Sequence, residues 1–192
     1  MAAESNKKLI MILADASKDN NLKLAGELAN LGWQIALVSH QAPIGAVPKN
    51  VRFLRIHLPI AYPLSYLAFF ELALIIFRLR PALIHALHLS DYGILAGLSR
   101  RFLLSRLVLV SATGTDVMKD AFTLRGWSIK HILCLVEEVT CRDEAAKSAA
   151  LQLGTPDNRL TLIVDNESSA AEFDAIYRKM LTAAQGGKDR KG

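Results

Sequence analysis

Short, largely apolar runs alternate with amphipathic segments along almost the whole of this chain. Residues 9–14 (LIMILA), 33–39 (WQIALVS), 51–56 (VRFLRI), 83–87 (LIHAL), 106–111 (RLVLVS), 138–141 (EVTC) and 160–164 (LTLIV) each have the length of a strand. Runs that are apolar on both alternating sets of positions suit strands covered on both faces, as in a parallel sheet. Parallel neighbours need a crossover connection, and helical segments lie between most of these runs. The pattern therefore predicts an α/β fold: a doubly wound, mostly parallel sheet with helices on both faces, Rossmann-like.

The helical segments carry their own punctuation. Leu22, Ala25, Leu28, Ala29 and Leu31 recur at helical spacing, with Asp19 or Asn20 before them as a cap and Gly32 as a stop. A long apolar helix is expected over 64–80, ended by Pro81. Further helices are expected over 92–104, 129–135 and 143–153. Gly93, Ala96 and Gly97 would let the helix over 92–104 pack closely on the sheet. Phe173, Ile176, Tyr177, Met180 and Leu181 follow i, i+3, i+4, i+7, i+8 and make one apolar stripe. They predict a helix over 168–184 that packs back on the domain. The expected organisation is one domain over 1–184 and a disordered Gly- and Lys-rich tail over 185–192.

Composition narrows the partners. Hydrophobic residues make up 52% of the 192 and charged residues 21%, enough to build a sizeable core. The net charge is +5. No basic patch is interleaved with aromatics, so no nucleic-acid partner is expected. The mild excess suits a solvated surface or attraction to anionic headgroups or phosphorylated ligands. Residues 1–8 lack the apolar core of a signal peptide. The apolar stretch 64–77 falls short of the ~20 residues that span a bilayer, and reads as a buried helix or one lying in an interface. A cytoplasmic chain, peripheral at a membrane surface, is the expectation. Cys134 and Cys141 have neither zinc-site spacing nor a paired motif. No metal is expected, and both thiols are expected to be buried and inert.

Ligands of open parallel sheets bind at the carboxyl ends of the strands. That rule selects the loops 15–21, 39–45, 85–91, 111–116 and 165–166. The first loop has no G-x-G-x-x-G and no P-loop, so nicotinamide, flavin and ATP binding of the familiar kinds are not expected, and no cofactor is assigned. His85 and His88 flank the end of the fourth strand; each is either a ligand contact or a histidine satisfied by backbone. Asp91 reads as a helix N-cap. Ser111-Ala112-Thr113-Gly114-Thr115-Asp116 is either a ligand-binding turn of small residues or a tight structural turn. His40, His57 and His131 are scattered and read as surface or packing residues. Glu137 and Glu138 are adjacent in a strand and point to opposite faces, which makes them a poor acid/base pair.

The order of these signals resembles the N-terminal domain of GT-B glycosyltransferases of the group-1, family-4 type. The resemblance rests on LIMILADASKDNNLKLAGELANLGWQIALVS, LRPALIHALHLSDYGILAGL, RLVLVSATGTDVM and LGTPDNRLTLIVDN, and covers residues 7–166. Gly114 and Asp116 match the family's G-x-D element. The chain departs from it where Asp19-Asn20-Asn21 replaces a glycine pair, and where Pro81-Ala82-Leu83-Ile84-His85-Ala86-Leu87 replaces P-D-x-x-H-x-H. The segment 173–181 resembles the family's final helix. The family's paired glutamates and basic residues of the nucleotide-sugar domain have no counterpart here.

The resemblance implies sugar transfer from a nucleotide sugar to a hydroxyl of a sugar or lipid-linked acceptor. His85, His88, Gly114, Thr115, Asp116 and Asn166 would line the acceptor side. No catalytic residue is carried over. The expected partners are a donor-binding domain or chain and a membrane surface. The alternatives are a non-catalytic binding subunit and an engineered stand-alone scaffold.

Overall fold

The computed structural model describes residues 8–61, 64–89, 91–103, 107–112, 124–163 and 169–189. Among them run seven strands: β1 (Leu9–Leu13), β2 (Gln34–Ser39), β3 (Val51–Arg55), β4 (Leu83–Ala86), β5 (Leu107–Ala112), β6 (Glu138–Cys141) and β7 (Leu160–Leu162). Six α-helices accompany them: α1 (Asp19–Asn30), α2 (Ser65–Leu79), α3 (Asp91–Leu103), α4 (Leu124–Leu135), α5 (Glu144–Gln152) and α6 (Ser169–Asp189). All strand pairs are parallel, in the order β3-β2-β1-β4-β5-β6-β7. The sheet is wound outward in both directions from β1 and β4, as expected from the sequence.

The alternation within each strand sorts the core into two layers. Met11, Leu13, Ile84, Ala86, Val108 and Val110 face a layer completed by α2, α3, α4 and α5. Ile10, Ile12, Leu83, Leu87 and Leu109 face the opposite layer, closed by α1 and α6. A polar row lies on that second face: His85, Ser111, Glu138 and Thr140 are all buried there. The five predicted stripe residues of α6 are buried over this row, with Tyr177 fully so.

Local chemistry explains several boundaries. Gly32 ends α1 at φ +99°, a left-handed conformation that glycine adopts without steric cost. The residue before α1 is Lys18 and makes no side-chain cap; neither Asp19 nor Asn20 holds that place. Asn21 instead donates its Nδ2 to the Asp15 carbonyl at 2.9 Å. Asp143 caps α5 by accepting from the Ala146 amide at 2.6 Å. Helix α4 starts at Leu124, earlier than the apolar run announces. Helix α6 continues past Ala184 to Asp189, into the stretch expected to be a tail. Gly97 packs against α4 rather than the sheet: a Cβ there would lie 2.5 Å from Ile132 Cγ1. Cys141 is buried as expected, but Cys134 is exposed on the outer side of α4.

Candidate functional site

The turn after β1 is built around Asp15. Its Oδ1 accepts from the Ser17 amide at 3.0 Å and the Ser17 hydroxyl at 2.7 Å. Ala16 next to it donates its amide to Ser39 Oγ at 3.0 Å, tying the β1 turn to the end of β2. Ser39 Oγ also accepts from the Gln41 amide at 3.1 Å and lies 3.3 Å from Tyr92 Oη. Two amide donors occupy the Ser39 lone pairs, so its own proton is directed to Tyr92. Tyr92 Oη accepts a further bond from the His40 amide at 3.2 Å. Its own proton therefore remains for a group in front of it.

His40 is held from the other side. Its Nδ1 lies 3.1 Å from the Ile56 carbonyl, which can only accept. Nδ1 therefore carries a proton, and in the neutral ring Nε2 is left as an acceptor. Asp15, Lys18, His40, His88, Asp91 and Tyr92 line a cavity of about 470 Å³ with the loop over 59–61. The cavity lies at the carboxyl ends of β1 and β4, where the winding of the sheet reverses and open parallel sheets take their ligands. Burial holds the Tyr92 phenol above its ordinary value; bonds from Ser39 and His40 pull it down, while the charges of Asp15 and Asp91 raise it further. It is neutral at ordinary pH and able to donate. The cavity thus offers carboxylates that accept, an ammonium and a phenol that donate, and an imidazole that can do either. That set suits a polyhydroxylated or phosphorylated ligand.

His88 lines this cavity. His85 does not. It is completely buried, with Nδ1 2.6 Å from Tyr177 Oη and Nε2 2.8 Å from Ser111 Oγ. Ser111 Oγ is in turn 2.8 Å from Thr140 Oγ1. Burial pushes the His85 imidazole down to about 3, so it is neutral at ordinary pH. Its partners are neither ligand nor backbone but side chains of β5 and α6. It fastens the last helix to the sheet. Asp91 opens α3 within its first turn and faces the cavity. Gly114, Thr115, Asp116 and Asn166 lie outside the described residues. A second cavity of about 340 Å³ lies beside α1 near the carboxyl ends of β4, β5 and β6, touching Asn20, Asn21, Ser111, Thr140 and Arg142. No group of three or more metal-ligating side chains occurs among the described residues.

Asp15, His40 and Tyr92 belong to the site without having been singled out. The signal for them was position: Asp15 and His40 follow β1 and β2 directly, and Tyr92 stands in the first turn of α3, all on the carboxyl edge of the sheet. His40 looked scattered because its neighbours, Ile56 and Tyr92, are 16 and 52 residues away.

Fold and cleft together define a doubly wound α/β domain with a polar cavity at its switch point. The chain belongs to the glycosyl transferase 4-like family, whose model matches residues 9–143. Its fold is that of the N-terminal Rossmann-like domain of GT-B proteins. Among solved structures it is similar to a sucrose-phosphate synthase from Thermosynechococcus elongatus. Identity there is 16% with a TM-score of 0.65, over 90% of this chain and 99% of that one. It is also similar to the UDP-GlcNAc 2-epimerase of Methanocaldococcus jannaschii (16% identity, TM-score 0.58, 81% of this chain, 45% of that one). Anabaena Alr3699/HepE, solved with UDP and glucose, matches at 13% identity and a TM-score of 0.58, over 81% of this chain and 44% of that one. The chain thus spans nearly all of the first structure and less than half of the other two. No curated protein sequence matches it.

Proposed function

We propose that this chain is the acceptor-side half of a glycosyltransferase, which transfers a sugar from a nucleotide sugar to a hydroxyl. The observation that carries this is the cleft at the β1/β4 switch point. Asp15 and Asp91 accept hydrogen bonds from acceptor hydroxyls, Tyr92 donates one, and His40 Nε2 receives the proton of the attacking hydroxyl. His88 and Lys18 complete the wall. Gly114, Thr115 and Asp116 follow β5 in the chain, and Asn166 follows β7; their part in the site is carried by the family pattern. The acceptor is a sugar or a lipid-linked sugar.

The nucleotide sugar is held by a second domain or chain. One fact supports this division: the chain spans under half of the epimerase and HepE structures. By itself the chain is expected to transfer no sugar. Turnover of UDP-glucose by the purified chain, lost on Asp116→Asn, would refute the division. In an assembly complete with its donor-binding half, His40→Ala is expected to lower kcat while leaving the KM for the nucleotide sugar within about twofold. An unchanged kcat would exclude His40 from the chemistry.

A further inference from the structure

Helix α2 has two apolar faces, and only one is covered. Ser65, Ala68, Phe69, Leu72 and Ile76 are buried against the sheet. Tyr66, Leu67, Phe70, Leu74 and Phe77 are exposed, Phe70 by 66% and Phe77 by 71%. At about 100° per residue these five fall within a ~120° arc, with Arg78 at its margin. Fifteen residues make a strip about 22 Å long. The ring of Phe102, also exposed, lies 5.4 Å from Phe69 and widens the strip onto α3.

The charges around the strip have one sign. Helix α2 and its neighbour α3 carry Arg78, Arg100 and Arg101 against two acids, Glu71 and Asp91, and Arg100 is paired with Glu137 at 2.6 Å. Glu71 is occupied by His57, accepting from its Nδ1 and its amide at 2.8 Å. Asp91 belongs to the cleft. Arg78, Arg80 and Arg101 are exposed, and neither helix carries an exposed acid.

We propose that the outer face of α2 is a docking surface for an anionic lipid bilayer. Exposed Phe, Leu and Tyr side chains flanked by arginines are what an interfacial helix presents to acyl chains and headgroups. A second copy of the chain fits less well. A two-fold contact through this face would bring the same arginines of both copies together with no acid to receive them. The chain leads into α2 from residues 59–61, which rim the switch-point cavity. Docking on α2 thus brings that rim to the lipid surface. It stands whether or not the cleft transfers sugar.

The test is sedimentation of the full chain with phosphatidylcholine vesicles, with and without phosphatidylglycerol. Binding to the anionic vesicles is expected, at least about tenfold stronger than to neutral ones. Leu74→Glu and Phe70→Glu should each lower it about tenfold with melting temperature unchanged, because both side chains are already in water. Arg78→Glu with Arg101→Glu should remove the preference for anionic lipid. Absence of binding to either vesicle overturns the proposal, as does binding untouched by these substitutions. A dimer that Leu74→Glu dissociates, in a chain that ignores vesicles, would overturn it in favour of self-association.

Discussion

At the residue scale, the most constrained group is the chain of side chains from Tyr177 through His85 and Ser111 to Thr140. Its members come from α6, β4, β5 and β6, and every link is 2.8 Å or shorter. A buried polar network of this kind stabilises only while every member is satisfied. Tyr177→Phe leaves His85 Nδ1 without its partner and is expected to cost about 1–3 kcal/mol in denaturant unfolding. The pH dependence has a fixed sign. His85 is depressed to about 3 in the folded chain against 6.5 as its ordinary value, so the unfolded state binds the extra proton between them. Its contribution is complete above pH 6.5 and is lost as pH falls toward 3, by up to about 1.4 kcal/mol per pH unit. Replacing the network with Tyr177→Phe and His85→Leu together should flatten that slope. The two thiols should also separate. Burial, then the charge of Asp143, raises the Cys141 thiol to about 11, while Cys134 is exposed. A thiol reagent should label Cys134 under native conditions and reach Cys141 only on unfolding.

At the element scale, α6 is held to the rest of the domain by more than its stripe. Trp33 donates its Nε1 to Asp174 at 2.8 Å, and the Arg178 guanidinium sits 5.4 Å over the Trp33 ring. Phe173 lies 4.6 Å from the His85 ring. Phe173→Asp would bury an unpaired carboxylate there and is expected to cost at least about 3 kcal/mol. A melting curve unchanged by it would make α6 an accessory. Gly97 sets the approach of α3 to α4. Gly97→Ala drives a methyl into Ile132, and about 1–3 kcal/mol of destabilisation is expected, partly restored by Ile132→Ala.

These elements also mark how far the sequence can be read. The strands were legible because two-sided burial forces uninterrupted apolar runs such as LIMILA. Helix α6 was legible because its stripe repeats at a helical period. What lies beneath that stripe was not, since His85, Ser111 and Thr140 meet across 26 to 29 residues of chain. Read alone, a histidine at a strand end looks equally suited to a ligand. Periodicity also marked α2 as apolar without telling that half of it faces outward. The start of α4 at Leu124 was missed because Arg125, Gly126 and Ser128 interrupt the apolar pattern ahead of Ile129.

At the scale of the whole molecule, one edge of the sheet gathers the loops after β1, β2 and β4 into a polar cleft. One outer helix leaves an apolar, basic-flanked face. No described helix is long and apolar enough to cross a membrane. The central claim is that the switch-point cleft receives the acceptor. Imidazole NMR tests it most directly, because His40 and His88 line the cleft and His85 is sealed from it. Titration with glucose, glucose phosphates and short lipid-linked sugars should move the ring signals of His40 and His88, leave those of His85 in place, and lose the response in Tyr92→Phe. Saturable binding that shifts neither His40 nor His88, or that survives Tyr92→Phe undiminished, would contradict the account.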